Sequence, residues 1–166
     1  MVCDVCGKRL RRRMASIDAP YHYLLSGLPN IFLAGISVYD CAQCSAEVPV
    51  IPRMAELHRV IVLNLVEKPG GLSGEEVRFL RKFSGRSAQA FANIVRVDPC
   101  TLSRIENNAQ PIGETLDKMV RVVAMAAKSM KEARRILLQA ESEGPPEQQW
   151  HKVVLAPSHG GWKAAA

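Results

Sequence analysis

Four of the five cysteines fall into two Cys-x2-Cys pairs, Cys3/Cys6 and Cys41/Cys44, with 34 residues between them. Two residues between cysteines make a tight knuckle whose sulfurs converge on one ion. Two knuckles complete a tetrahedral S₄ shell of the kind that closes a structural Zn²⁺ site. Gly7 follows the first knuckle and can take the positive φ that turns the chain away from a metal. Ser45 follows the second, so its turn is expected to be made differently. Two disulfides or four unligated thiols are the alternatives, and a reducing compartment disfavours the disulfides. Four thiolates leave no open coordination position, so the site reads as a staple rather than a catalytic zinc.

The pairs bracket a β-prone stretch. Tyr21-His22-Tyr23-Leu24-Leu25 and Ile36-Ser37-Val38-Tyr39 are strand-like, punctuated by Gly27, Pro29 and Gly35, and the second delivers Cys41 from a strand end. About 50 residues bury too little apolar surface to be secure alone, which gives a metal staple its physical purpose. His22 lies between the knuckles but belongs to neither pair, and is expected to be a packing or surface residue. The run Arg11-Arg12-Arg13 is expected to be solvated, or to touch phosphate or an acidic protein surface. The formal charge of +6 permits attraction to nucleic acid or an anionic membrane. No apolar run reaches the ~18–20 residues of a membrane span, and the N-terminus lacks a charged-then-apolar signal pattern. The expectation is a cytoplasmic protein with no membrane partner.

Beyond residue 52 the pattern turns helical. Met54, Leu57, Ile61 and Leu65 follow helical spacing over 53–68, and Pro69-Gly70-Gly71 ends the segment as a candidate hinge. Ser73 with Glu76 forms a capping box, with Leu72 stapled onto Val77, for a helix that carries Leu80 and Phe83 inward and stops near Gly85. Ser87 caps a short helix over 88–95 that buries Phe91, Ala92 and Val95. Asp98 then caps a third helix with Pro99 pre-organised at its first position. Leu102 and Ile105 would face the core, while Cys100, Thr101 and Arg104 share the opposite surface with Ser103 at its flank. Such a helix fits the major groove, where Arg pairs bidentately with guanine. An ordinary helical bundle with those polar residues solvated fits the same periodicity.

The stretch Ser87-Ala88-Gln89-Ala90-Phe91-Ala92, followed by Val97-Asp98-Pro99-Cys100-Thr101-Leu102-Ser103-Arg104-Ile105-Glu106-Asn107, resembles the Xre/Cro-type helix-turn-helix. Cys3-x2-Cys6-Gly7-Lys8, then Gly27-Leu28-Pro29-Asn30, Gly35 and Val38-Tyr39-x-Cys41-x2-Cys44, is similar to the YgiT-type zinc finger of MqsA-type antitoxins. The resemblance covers residues 1–128. It implies an α+β protein: a zinc-bound β domain (1–52), a connecting helix and hinge (53–71), an all-α helix-turn-helix with dimerisation helices (72–144), and a tail (145–166). It also implies a bacterial homodimeric repressor of its own operon that binds a palindromic operator in double-stranded DNA and pairs with a toxin protein. Gln89 matches the family's phosphate-contacting glutamine, and Thr101 and Arg104 its recognition-helix positions; Pro99, Cys100 and Ser103 complete the expected DNA-binding set. One departure concerns readout. The MqsA-type recognition helix carries Asn where Cys100 stands, and a thiol cannot read adenine bidentately, so the operator should differ.

Leu116, Met119, Val120 and Val123 form an apolar stripe expected mainly to complete the core. A second, Met130, Ala133, Leu137 and Ala140, either does the same or forms a dimer interface that sets two reading helices ~34–36 Å apart. Gly144-Pro145-Pro146 ends the helices. The stretch from Trp150 to Leu155 reads as a strand or arm folded onto its own domain, or as a partner-binding tail, and Trp162 has no reading. A stand-alone zinc-containing regulator and a mainly toxin-neutralising interaction module are the alternative functions. An enzyme is more distant: there is no phosphate loop, no metal site with a free position and no paired nucleophile and base, and His22, His58, His151 and His159 are scattered.

Overall fold

In the computed structural model the described residues are 1–126, 152–159 and 161–165. The protein is α+β, and its contacts divide it into two units. The first joins Met1–Leu57 to the C-terminal segment; the second runs from His58 to Trp150. The expected second stripe (Met130, Ala133, Leu137, Ala140), the Gly144-Pro145-Pro146 stop and Trp150 lie outside the described residues.

The first unit holds two small sheets. β1 (Arg11–Met14), β4 (Ser37–Asp40) and β5 (Glu47–Val50) form an antiparallel sheet in the order β1-β4-β5. β2 (Tyr21–His22), β3 (Ile31–Leu33), β6 (Val153–Ser158) and β7 (Gly161–Ala164) form the other, in the order β2-β3-β6-β7. Leu28, Ile31, Leu33, Val38 and Leu155 are essentially fully buried and make this unit's core.

The strand expected across residues 21–25 stops after His22. A 3-10 turn, Leu24–Ser26, follows and closes on Gly27 at φ 77°, while the Ser26 hydroxyl donates to the Tyr23 carbonyl. The turn leaves Leu24 and Leu25 exposed, so local turn chemistry overrides the β-propensity of the run.

The tail, expected as a separate segment 145–166, is built into the first unit in its described part. β6 pairs in parallel with β3, Ile31 opposite Val153 and Leu33 opposite Leu155, and β7 returns antiparallel to β6. Trp162 is buried, and its indole N–H donates to the Pro52 carbonyl at 3.1 Å. The Arg53 guanidinium donates to the carbonyls of Ser158 and Gly161. Trp162 thus anchors a β-hairpin, the role the sequence alone did not assign.

α1 (Met54–Glu67) follows, and the division between the units falls within it. The second unit continues with α2 (Gly74–Phe83), α3 (Ala88–Ile94), α4 (Pro99–Glu106) and α5 (Glu114–Ala126). α2 packs on α4 and α5, and α3 on α4. Ser73 caps α2 through a complete capping box with Glu76, Ser87 caps α3 and Asp98 caps α4. Leu72, Val77, Leu80, Phe91, Ala92, Leu102 and Ile105 are buried as their spacing requires.

Two expectations need correction. Phe83 is only half-buried, and Phe79, one turn earlier, is the buried aromatic of α2. On α5 the face turned inward is Asp117, Val120, Arg121 and Ala124, so Leu116, Met119 and Val123 are only half-buried. The reason is an ion pair. Arg121 Nε donates to Asp117 Oδ2 at 2.7 Å, and its remaining N–H groups donate to the carbonyls of Leu65, Val66, Lys68 and Gly70. Asp117 Oδ1 accepts from the Leu72 N–H. One guanidinium therefore takes up two carbonyls of the last turn of α1 and two just beyond it, and it ties down the Pro69-Gly70-Gly71 segment read as a hinge.

Candidate metal centre and helical surface

The two knuckles have the same backbone. In the first, Gly7 N–H donates to Cys3 O and Cys3 N–H to Lys8 O; in the second, Ser45 N–H donates to Cys41 O and Cys41 N–H to Ala46 O. Gly7 stands at φ 69° and Ser45 at φ 57°. The second turn is thus made as the first is, with serine accepting the left-handed conformation that glycine takes freely. β4 ends at Asp40, so Cys41 leaves a strand end as expected.

All four sulfurs lie within 4.8 Å of one another. Cys3 Sγ stands 3.5 Å from Cys44 Sγ, and Cys6 Sγ 3.3 Å from Cys41 Sγ, so each close contact crosses between knuckles. A tetrahedron of sulfurs ~2.3 Å from a central ion has edges of about 3.8 Å, which this cluster approximates. Cys3 and Cys41 are buried, Cys6 and Cys44 partly so.

Backbone N–H groups aim at the sulfurs. Those of Cys44 and then Gln43 donate to Cys41 Sγ, and with the Cys6 thiol they lower its pKa to about 6. The Lys8 N–H favours the Cys6 thiolate, but the Cys41 thiol, burial and the Cys44 and Cys3 thiols outweigh it and push its pKa up to about 12. The cluster by itself therefore ionises unevenly, because hydrogen bonds among the sulfurs favour the Cys41 thiolate at the expense of Cys6. The four cysteines can hold a metal ion.

His22 stays outside this site. Its Nε2 lies 2.8 Å from the Pro29 carbonyl and its ring stacks on Phe32, which makes it a packing residue. In the arginine run, Arg13 pairs with Asp40 and Glu47, and Arg12 donates to the Ser37 hydroxyl. Those two cations are engaged within the unit.

In the second unit α3 and α4 are joined by residues 95–98. Gln89 is exposed on α3, its amide 3.5 Å from the Asn93 side chain. On α4 Pro99 occupies the first turn, and Asp98 accepts the Cys100 N–H at 2.8 Å. Cys100, Ser103 and Arg104 are exposed and Thr101 half-buried, opposite the buried Leu102 and Ile105. The six residues nominated from sequence, Gln89, Pro99, Cys100, Thr101, Ser103 and Arg104, thus sit on α3 and α4 away from the core.

The position of α4 is fixed through buried charge. Glu106 takes two hydrogen bonds from Arg81 on α2, and Arg78 donates to the Glu106 carbonyl and to Asn107 Oδ1. The Glu106 carboxylate raises the Arg81 pKa further, first by hydrogen bonding. Asn108, just past α4, accepts the Gly74 N–H and donates to Glu75. Sequence periodicity missed this clamp because Glu106 reads as an ordinary polar position near a helix end.

The exposed cations Arg86 and Arg96 flank α3 and were not nominated from sequence. No family model, no curated protein and no solved structure matches the chain.

Proposed function

We propose that the protein is a sequence-specific DNA-binding transcriptional repressor in which α3 and α4 act as an Xre/Cro-type helix-turn-helix and the four-cysteine centre holds a structural Zn²⁺. The single observation that carries this reading is the division of α4. Its apolar side is locked into the core by Leu102 and Ile105 and by the Glu106–Arg81 clamp, while its outer side presents Arg104, Ser103 and Cys100 with Thr101 at the margin. A rigid helix with a polar outer face is what base readout in the major groove requires. Among the described residues Arg104 has no side-chain partner, so its guanidinium is available for guanine.

All-thiolate donation suits zinc, and a shell closed by four protein ligands supplies folding energy rather than catalysis. Repression then works by occupancy: contacts such as Gln89 to phosphate set the register, α4 reads bases, and the bound protein blocks the promoter. A homodimer on a palindromic operator follows from the resemblance, and the stripe expected to serve it, Met130, Ala133, Leu137 and Ala140, lies outside the described residues. The order of zinc module and helix-turn-helix supports, by resemblance, the antitoxin of a type II toxin–antitoxin pair in the bacterial cytoplasm. Arg104→Ala is expected to weaken binding to the DNA upstream of the protein's own coding sequence by about 1–3 kcal/mol and to relax base preference; Gln89→Ala should weaken it more uniformly across sequences. Equal binding by wild type and Arg104→Ala across a panel of base-substituted duplexes would refute the assignment.

A specific observation favours the toxin-neutralising module as a second reading. The three-stranded sheet shows Met14, Val48 and Val50 exposed beside the half-buried Tyr39 on one face, with the Arg12 guanidinium on the same face, a mixed apolar and basic patch suited to an acidic protein partner. Val48→Asp with Val50→Asp should then abolish binding to the product of the neighbouring reading frame and leave DNA binding intact.

A further inference from the structure

Among the described residues, four other than glycine hold a positive φ: Ser45, Arg53, Arg96 and Asn108. For an L-residue this conformation is unfavourable, and it persists only where something compensates. In three of the four, the residue's own N–H or side chain takes part. Ser45 closes the second cysteine knuckle through its N–H bond to Cys41. Arg53 donates to Ser158 and Gly161 and pairs with Glu56. Asn108 links Gly74 to Glu75, and asparagine tolerates this region well.

Arg96 is different. At φ 58° it makes the turn between α3 and α4, two residues before the Asp98 cap. The turn itself is fixed by backbone, with Val97 N–H donating to Ala92 O at 3.0 Å. Its side chain is exposed and has no hydrogen bond, ion pair or ring contact among the described residues. Glycine would make this turn at lower conformational cost, and no side-chain contact among the described residues offsets the difference.

We propose that Arg96 is a phosphate-binding residue, a backbone anchor that holds the start of α4 on the DNA. This rests on the DNA-binding reading above. Its charge stands three residues ahead of Pro99, where a helix placed in the major groove passes the sugar–phosphate backbone. The turn is held by the Val97–Ala92 backbone bond, which leaves the arginine side chain free for a ligand. A phosphate contact carries no base information, so Arg96 should add affinity equally on any sequence, whereas Arg104 should add selectivity.

The test compares wild type, Arg96→Gly and Arg96→Lys on two duplexes: the DNA upstream of the protein's own coding sequence and a shuffled duplex of equal length. Arg96→Gly should unfold at a higher urea concentration than wild type, because the strain is gone, yet bind both duplexes about three- to tenfold more weakly. Losing one phosphate contact lowers the slope of log affinity against log salt by about 0.9, so its deficit should shrink about 3.5-fold between 50 and 200 mM salt. Arg96→Lys should keep the wild-type slope. Unchanged affinity and slope in Arg96→Gly would overturn the proposal, as would a loss confined to the upstream duplex with the slope intact, which would mark a base contact. Wild type that binds neither duplex would instead overturn the DNA-binding reading itself.

Discussion

Gly7 and Ser45 occupy equivalent places in the two knuckles, and only one of them is built for the conformation both adopt. A Cβ added at Gly7 would meet nothing within 4 Å, so the cost of Gly7→Ala is conformational alone. It should lower the stability of the metal-loaded protein by about 1 kcal/mol, while Ser45→Gly should raise it by about 0.5–1 kcal/mol. Urea midpoints of the two variants check both signs at once, and matching midpoints would mean that the turns do not limit the knuckles. The four-cysteine cluster was legible because each Cys-x2-Cys pair makes a tight knuckle, and two knuckles can converge on one point. The shape of the second turn was not legible, because no residue at position 45 announces a left-handed φ unless it is Gly or Asn.

At the scale of elements, the helices that matter most are positioned by contacts of short reach and one of long reach. Caps at Ser73, Ser87 and Asp98 are local, and the sequence displays them directly. The approach of α2 to α4 is not local. A Cβ at Gly74 would clash with the Ile105 carbonyl oxygen and lie 2.7 Å from Asn108 Oδ1. The backbone of α4 cannot yield as a flexible side chain would, so Gly74→Ala should cost about 1–3 kcal/mol and shift α4. Thermal unfolding with DNA titration measures both effects; wild-type stability in this variant would show that the close approach is soft. The buried face of α5 was misread for a related reason. An apolar stripe search selects Leu116, Met119 and Val123, whereas Asp117 and Arg121 are buried because they have carbonyls and an N–H of distant residues to satisfy. Buried charge that is fully hydrogen-bonded looks like surface in a sequence.

For the whole molecule, the unit that carries the cysteines is assembled from both ends of the chain. Leu155 and Trp162 are buried in it, and β3 depends on β6 for one of its edges. A pairing between residues 31–33 and 153–155 leaves no local signal, which is why the tail's place was not legible. Removing residues 145–166 should therefore destabilise the cysteine unit by several kcal/mol, since burying each large apolar side chain contributes about 1.5–3 kcal/mol. It should also make that unit lose its fold at lower chelator concentrations, because metal binding and folding are linked. Proteolysis of residues 1–57 with and without chelator reads this, and equal protection in the full-length and truncated chains would count against it.

The proposed reading of DNA sequence by the outer side of α4 is checked by the affinity of the zinc-loaded protein for the duplex upstream of its own coding sequence and for a shuffled duplex of equal length, at ~0.15 M salt. The expected result is at least a ~10³-fold preference for the upstream duplex, falling steeply with salt on both. Equal affinity for the two duplexes would contradict it.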